Sequence, residues 1–467
     1  MNKFFHQKLR LIFIISAVLL SVSCKKLIEV PKNPLGQIAE GELFSDSLSA
    51  LSAVAGVYSY EPGSGQGFAF SDNSLAKLTG MSGDDLSTTI SYSTTLSEFY
   101  NNAVQPVNSY INSMWANSYK SIYQINAIID GINKSPGISG SFKNQLLGEM
   151  KVTRALYYFH LVNIYGAVPL ILTTDYKSTG QQPRVSAEEV YNQIIADLSD
   201  AQTKLVKDYP SSGHLRPNLY VATALLAKVY LYRENWQKAY EAADKVISSG
   251  QYSLESDLDA VFLDGSQEAI WQLPSLVTYA QTQDAQDFVP YSGNIPSYPI
   301  SEALLQKMEG TDSRLAAWIG RTEVDQGNGP EIYFYPNKYK NTASPAPTTE
   351  DFMVLRFAEQ YLIRAEAAAH LGNNSIAVKD VFKIRSRAGL GDINYSSQED
   401  LLNKIMQERQ RELFCEWGNR WFDLKRTKTI DAVLGSEKTN WRNFQSLYPV
   451  PLSQIRANSN LTQNTGY

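Results

Sequence analysis

Acidic and basic side chains cluster near the C-terminal end of the chain at spacings that could support acid–base chemistry. The set comprises Glu408, Arg409, Arg411, Glu412, Glu416, Arg420 and Asp423. Its three glutamates recur every fourth residue, so in a helix their carboxylates share one face, and Arg411 follows Glu408 closely enough to pair with it. Because ion-pair networks also group such side chains without any catalytic role, we interpret the set as a network that fixes the C-terminal segment.

The adjacent pair Asp84–Asp85 is the other candidate for acid–base catalysis. Two neighbouring side chains point in different directions on most backbones, so this pair predicts a solvated turn rather than a catalytic dyad. The chain also has no GxSxG, Walker-type or Rossmann glycine pattern in a strand–helix context. The sequence therefore nominates no catalytic residue.

Histidine and cysteine are too sparse to suggest a metal centre. His160, His214 and His370 form no HExxH-type pair and have no companion cysteine cluster, so we expect no metal and no cofactor. His160 and His370 are predicted to pack between helices. Cys415 lies in an apolar helical stretch and is predicted to be an inert core thiol.

Aromatic side chains in two irregular segments are the candidates for ligand binding. A sugar ring presents an apolar face that stacks on Trp or Tyr, while its hydroxyl groups need Asn, Asp, Gln or Arg nearby. Polar neighbours of this kind, Asp312 and Arg314 among them, accompany the aromatic residues. The candidate ligand-binding residues are Tyr92, Tyr100, Asn101, Tyr291, Asn294, Tyr298 and Trp318. Any one of these aromatic side chains could instead belong to the core.

The elements that must position these side chains are mostly helical. Residues 152–165 are apolar almost all round, which predicts a helix enclosed by other helices, and Gly166 and Pro169 end it. Ser186 and Glu189 form a capping box that begins a further helix. The other predicted helices cover about 40–60, 112–133, 218–232, 236–248, 357–371, 375–387 and 401–417, whereas 73–100 is predicted to be irregular.

Two helix pairs repeat each other 138 residues apart. In this repeat Ala227 corresponds to Ala365, Ala239 to Ala377, Ala243 to Val381 and Val246 to Ile384. Small residues at fixed places let antiparallel helices approach closely, as in the tetratricopeptide repeat of about 34 residues. We therefore predict a mainly α fold, a tetratricopeptide-like α/α superhelical scaffold, with a loop-rich insertion at about 252–352 where recognition is expected.

The N-terminus has the pattern of a targeting segment. Basic residues precede an apolar run at 11–20 that is too short to span a bilayer. Small residues and then Cys24 follow, as in a bacterial lipoprotein signal, although an ordinary secretory signal would look similar. We predict a signal peptide at 1–23, a lipidated tether at 24–39 that begins with Cys24, and one domain over 40–467.

Composition and charge narrow the classes of partner. The chain is 43% hydrophobic and 19% charged, as ordinary globular proteins are. Removal of residues 1–23 takes away three positive charges, so the formal net charge falls from −5 to −8. An acidic protein of this kind is a poor match for nucleic acid or anionic membrane surfaces.

Several blocks in a fixed order resemble the SusD/RagB family of nutrient-binding outer-membrane lipoproteins of the Bacteroidetes type. They are RALYYFHLVNIYGAVPL (154–170), EVYNQIIADLSDA (189–201), LRFAEQYLIRAEAAAHLG (355–372), ERQRELFCEWGNRWFDLKR (408–426) and the ending LTQNTGY (461–467). Thr465 stands where the family usually has Pro. The resemblance extends over nearly the whole chain after the targeting segment.

The resemblance implies a non-catalytic function at the cell surface. It implies a lipoprotein of the outer membrane, anchored by its N-terminal lipid, that faces the cell exterior. Such a protein captures a glycan and passes it to a SusC/RagA-like TonB-dependent transporter. It does not imply particular ligand-binding residues, because family members differ most in these loops.

Three alternatives remain open on the sequence alone. The same scaffold could capture a peptide or another non-glycan nutrient. A surface glycoside hydrolase would need two carboxylates flanking one bond at about 5–10 Å from each other, and the sequence nominates no such pair. A pure scaffold would bind another protein along a concave helical surface and would take no small ligand.

Overall fold

A computed structural model describes residues 43–58, 70, 75–91, 93–274, 282–327, 329–342 and 349–467, which form 18 α-helices and four β-strands. The helices are α1 Ser47–Tyr58, α2 Leu75–Ser82, α3 Thr94–Tyr100, α4 Ser109–Lys134, α5 Gly140–Tyr165, α6 Tyr176–Thr179, α7 Ala187–Lys204, α8 Leu219–Tyr232, α9 Trp236–Ile247, α10 Gln283–Phe288, α11 Glu302–Leu305, α12 Arg314–Ala317, α13 Phe357–His370, α14 Asn374–Arg387, α15 Gln398–Leu413, α16 Asn419–Arg426, α17 Ile430–Glu437 and α18 Leu452–Ala457. The strands are β1 Ala269–Leu273, β2 Ile319–Asp325, β3 Pro330–Pro336 and β4 Phe352–Arg356.

Helix α5 lies at the centre of the helical part, as its apolar sequence predicts. Nearly every residue from Val152 to Tyr165 is buried, and α5 packs between α4 and α7. Gly166 ends the helix with a φ of 75°, a left-handed value that favours glycine. The C-terminal segment then secures this end, because Asn464 Nδ2 donates to the Tyr165 carbonyl at 2.9 Å.

The helices form a continuous stack that the insertion does not interrupt. In order, α4, α5, α7, α8, α9, α13 and α14 each pack on the next. Helix α9 meets α13 although more than a hundred residues of chain separate them. All eight positions of the predicted 138-residue repeat are fully buried, which confirms that small side chains let the paired helices approach closely.

The insertion leaves the stack and returns to it through a narrow neck. Strands β1 and β4 pair antiparallel there, with Ala269 opposite Arg356 and Leu273 opposite Phe352. Every residue of both strands is buried. Beyond the neck the insertion is more regular than predicted, because it contains a second antiparallel pair, β2–β3, and three short helices.

Two helix predictions require correction. Residues 73–100, predicted to be irregular, contain α2 and α3. Every residue of α2 is buried, so packing outweighs the low helix propensity of its Ser, Thr and Gly residues. The last long helix ends at Leu413 rather than at 417, because Cys415 and Trp417 adopt left-handed φ values of 52° and 49°.

The capping box at Ser186 is confirmed: Ser186 accepts from the Glu189 amide, and the Glu189 side chain returns the interaction. Across the described ranges, no helix is both long and apolar enough to cross a membrane. The predicted signal peptide and tether, including Cys24, lie outside the described residues.

Candidate ligand-binding surface

Two segments that are far apart in the chain form one layer above the neck. Residues 86–91 run antiparallel to 296–300: the Ser87 amide donates to the Pro299 carbonyl at 2.8 Å, and the Thr89 amide donates to the Ser297 carbonyl at 3.2 Å. The Ile300 amide donates in turn to Phe334 in β3. We call the set of residues 86–91, 291–300 and the β2–β3 hairpin (319–336) the loop layer.

The loop layer presents one strongly exposed aromatic side chain with polar neighbours. Tyr291 is 81% exposed, and Asn294, whose amide donates to the Tyr291 carbonyl at 2.9 Å, is exposed beside it. Thr89 is exposed on the adjacent segment. The structure thus places an open aromatic ring and a carboxamide together at one turn of the loop layer. The Thr89 hydroxyl group lies on the paired segment and donates to the Pro296 carbonyl at 2.8 Å.

Tyr100 and Asn101 lie at a second, separate place. Tyr100 is the last residue of α3 and Asn101 follows it. The first turn of α3 adjoins the loop layer, and its last residue is about 9 Å further along the helix axis. Tyr100 is 37% exposed, and the Lys438 ammonium lies 5.1 Å from its ring centroid. Asn101 is exposed. Tyr92, the remaining candidate of this segment, lies outside the described residues.

Tyr298 and Trp318 are buried, so we withdraw them as residues that contact a ligand. Tyr298 is 5% exposed and lies edge-on to Phe288. Trp318 has no exposed surface, and its Nε1 donates to the Leu258 carbonyl at 2.9 Å. Lys338 is 4.8 Å from the Trp318 ring centroid, so cation–π contacts as well as packing keep this indole in the core.

The polar neighbours proposed for Trp318 have a structural role too. The Arg314 guanidinium forms two hydrogen bonds to Asp312, at 2.9 and 2.8 Å, and both side chains are fully buried. Arg314 also forms ion pairs with Glu408 at 2.8 Å and Glu412 at 2.9 Å. These contacts tie the segment before β2 to the buried face of α15.

The predicted ion-pair network is confirmed and lies beneath the loop layer. Glu412 accepts hydrogen bonds from Arg356 and Arg387, and Glu416 forms an ion pair with Lys338 at 2.5 Å. Burial alone would raise the pKa of the Glu412 carboxyl, but the nearby guanidinium groups hold it well below its usual range. Lys338, which follows β3, also donates to the Glu412 carbonyl at 2.8 Å, so α15 holds both ends of the hairpin.

The Asp84–Asp85 pair is not a solvated turn; that prediction is wrong. Both carboxylates are buried, and Asp84 forms ion pairs with Arg420 at 2.6 Å and Lys307 at 2.8 Å. Those partners hold the pKa of Asp84 below its usual range in spite of its burial. Burial and the Asp84 charge raise the pKa of Asp85 to about 6, and its carboxylate accepts from Gln410 at 3.0 Å.

The histidine and cysteine side chains pack as predicted. His160 is buried between Phe70 and Trp417, and burial lowers its pKa to about 3. His370 stacks on Trp236 at a centroid distance of 3.8 Å. Cys415 is buried, and burial raises the pKa of its thiol. Among the described residues, no group of three or more His, Cys, Asp or Glu side chains could hold a metal ion.

Sequence reasoning missed the hairpin as part of this surface. One face of the hairpin carries residues 322, 324, 333 and 335, of which Tyr333 and Tyr335 are half-buried. The other face carries the exposed Ile332. The Asn328–Gly329 dipeptide between alternating segments was an available signal for a hairpin. Tyr335 covers Gly320 so closely that an added Cβ would lie 2.2 Å from its ring.

Comparisons with known proteins agree with this architecture. A family model described as "SusD family" matches residues 279–467, and one described as "Starch-binding associating with outer membrane" matches residues 66–231. The SusD-like protein P2 of Formosa agariphila is 27% identical, with 99% of this chain aligned to its full length. The starch-binding protein SusD of Bacteroides thetaiotaomicron is 22% identical, over 74% of this chain and 76% of its own.

Solved structures show the same fold. A laminarin-binding SusD-like protein superposes with a TM-score of 0.76 at 23% identity, covering 91% of this chain and all of that one. The family assignment rests on the helical stack, on the loop-carrying insertion and on the two family models, which match the chain on either side of residues 232–278. The chain belongs to the SusD/RagB family.

Proposed function

We propose that the protein captures a glycan at the loop layer and delivers it to a TonB-dependent outer-membrane transporter of the SusC/RagA type. Proteins of the SusD family bind carbohydrate and are not enzymes. The observation that carries the proposal is the exposure of Tyr291, which is 81% accessible beside the exposed Asn294. An aromatic face beside neutral hydrogen-bonding groups suits a sugar ring.

Rigid support for the loops favours specific capture. The ion pair of Arg314 with Glu408 and the hydrogen bond from Lys338 to the Glu412 carbonyl hold the two ends of the hairpin on α15. The ion pair of Asp84 with Arg420 holds the start of the 86–91 segment. A ligand then meets side chains that are already positioned, so less conformational entropy is lost on binding.

The similar proteins favour a glycan over a peptide as the ligand, because one of them binds starch and another binds laminarin. The hydrolase alternative loses the carboxylate pair considered for catalysis, because Asp84 and Asp85 are buried and hydrogen-bonded to protein groups. Peptide capture predicts a peptide ligand, and a pure scaffold role predicts a protein partner with no small ligand. A panel of binding measurements therefore separates both alternatives from glycan capture.

The proposal also covers the location of the protein and the lipid that anchors it. The family model named for association with the outer membrane supports an outer-membrane location, and we propose that lipid on Cys24 anchors the protein there, facing outwards. In this view residues 1–23 are removed, 24–39 form the tether and 40–467 form one domain. Mass spectrometry of the membrane-bound protein should then show an acylated N-terminal Cys24, and Cys24→Ala should release the protein from the membrane fraction.

The test of the binding surface is Tyr291→Ala. We expect the variant to bind the glycan about 5- to 100-fold more weakly, because it loses an aromatic stacking contact. Its melting temperature should not change, since the ring is exposed. Tyr176→Ala is the matched control, because Tyr176 is 73% exposed outside the loop layer. Equal affinities of wild type and Tyr291→Ala would reject the loop layer as the binding surface.

A further inference from the structure

A groove of about 640 Å³ lies on the helical side of the molecule, outside the loop layer. One wall is a face of α15, and the other comprises the end of α16, the turn after it and α17. The start of α9 and the end of α13 close one end of the groove. Its volume lies in the range of sites for small ligands.

An aromatic platform stands at this closed end. The Trp236 indole and the His370 imidazole both line the groove and stack nearly parallel, 3.8 Å apart with an interplanar angle of 9°. Trp236 is only partly buried and His370 is exposed. The stack fixes the orientation of the indole ring, so its aromatic edge and face are held ready for a ligand at little entropic cost.

A row of hydrogen-bonding side chains lies along the wall formed by α15. Glu399, Asn403 and Gln407 are spaced four residues apart, so they follow one another at intervals of about 6 Å along the helix. All three are exposed and line the groove. Within the described chain their side chains form no hydrogen bond or ion pair, so they are available to an external ligand.

Charged groups at the bottom and at the other end of the groove already have protein partners. Arg426 forms an ion pair with Glu366 at 2.5 Å. Arg420 and Lys307, at the end opposite Trp236, both pair with Asp84. The groove therefore has no unpaired cluster of positive charge for a phosphate group, and Leu231, Leu424 and Met406 add apolar lining.

We propose that this groove is a second carbohydrate-binding site, which takes a neutral oligosaccharide with one sugar ring against Trp236. The row of carboxylate and carboxamide groups matches the hydroxyl groups along such a chain, and the apolar lining matches the C–H faces of its rings. An amphipathic peptide would use the apolar lining but would leave much of the polar row unmatched. The proposal rests on the proposed function only in that the ligand is a glycan.

The test is calorimetric titration of the purified protein with neutral hexasaccharides, including maltohexaose and laminarihexaose. We expect two sites, one of which weakens about 5- to 100-fold in Tyr291→Ala. The other site should weaken about three- to tenfold in Gln407→Ala, which removes one hydrogen-bonding group from an exposed position. Trp236→Ala should weaken it more, and Gln237→Ala, which changes an exposed neighbour outside the groove lining, should have no effect.

The outcomes separate the two sites. One site that Tyr291→Ala weakens and Gln407→Ala leaves unchanged would overturn the groove proposal alone. One site that Gln407→Ala weakens and Tyr291→Ala leaves unchanged would support the groove and reject the loop layer as the binding surface. Because Trp236→Ala could affect folding, the decision rests on Gln407→Ala and on the indole N–H resonance of Trp236, which must shift on titration in wild type. Binding of an amphipathic helical peptide in place of every sugar would overturn the assignment to glycans.

Discussion

Arg314 neutralises several carboxylates beneath the loop layer. It is fully buried, and it contacts Asp312, Glu408 and Glu412 at 2.8–2.9 Å. Burial alone would lower its pKa, but the surrounding carboxylates raise the pKa above the usual value. A charge so completely surrounded by counter-charges cannot be removed without leaving buried carboxylates uncompensated.

We predict that Arg314→Met lowers the free energy of unfolding by about 3–5 kcal/mol. Urea denaturation followed by circular dichroism measures this change. The matched control is Arg321→Ala, whose ion pair with Glu323 is about half exposed and should contribute less than about 1 kcal/mol. A similar loss in both variants would contradict the role given to the buried network.

Titration of Asp423 should make the free energy of unfolding depend on pH. Its carboxylate accepts from Arg409 at 2.9 Å and Arg426 at 2.7 Å. Burial opposes ionisation, but the two guanidinium groups lower the pKa of Asp423 from 3.8 to about 2. A carboxyl group whose pKa is lower in the folded state stabilises the protein above its unfolded pKa, and this contribution is lost as the pH falls towards 2.

We therefore expect about 2 kcal/mol of folding stability to disappear between pH 4 and pH 2 through this group. The measurement is the free energy of unfolding at a series of pH values. Asp423→Asn should be less stable at pH 6 and should show a flatter dependence below pH 4. An unchanged slope in Asp423→Asn would show that other carboxyl groups account for the acid response.

Single residues were predictable where their spacing along one helix carried the information. Glu408 and Glu412 share a buried face of α15, as their spacing predicts, whereas Glu416 lies beyond the end of that helix. Their partner Arg314 lies far away in the chain, as do Arg420 and Lys307, the partners of Asp84. No local sequence pattern could therefore predict these ion pairs. For the same reason Trp318 could not be distinguished from an exposed loop aromatic before its tertiary neighbours were known.

At the scale of elements, the β2–β3 hairpin depends on one close cross-strand contact. Gly320 lies opposite Tyr335, and a Cβ added at Gly320 would be 2.2 Å from ring carbons of Tyr335. Gly320→Val should displace that ring and lower the free energy of unfolding by about 1–3 kcal/mol. Thermal and chemical denaturation provide the measurement.

The double variant Gly320→Val/Tyr335→Ala isolates the contact. With the ring absent, the valine should add little further destabilisation to Tyr335→Ala. Gly310→Ala serves as the control, since nothing lies within 4 Å of a Cβ added there. Strictly additive effects of the two substitutions would mean that the ring does not cover Gly320.

Elements with strong periodicity or clear caps were predictable, and those set by burial were not. Helix α5 and the capped start of α7 follow directly from their sequences. Helix α2 contains Thr, Gly and Ser, whose low helix propensity predicts an irregular segment. The segment is nevertheless helical in the folded protein, where every one of its residues is buried. The hairpin had an Asn–Gly turn signal, but its alignment beside residues 296–300 depends on contacts that the sequence does not reveal.

At the scale of the whole molecule, a rigid helical stack carries an insertion through a two-stranded neck. Helix α9 packs on α13 across that insertion, so the loops can vary without disturbing the core of the stack. The described loop layer is fixed to α15 and α16 by buried ion pairs. This arrangement combines a stable scaffold with exposed loops, as the proposed capture of a ligand requires.

The most direct test of glycan capture is the binding of the purified protein to a panel of polysaccharides, oligosaccharides and peptides. Mass spectrometry of the same mixtures would detect any cleavage. We predict saturable binding to one class of glycan, weakened by Tyr291→Ala, with no product formed. Binding to peptides alone, or the release of shorter sugars by the wild-type protein, would contradict the proposed function.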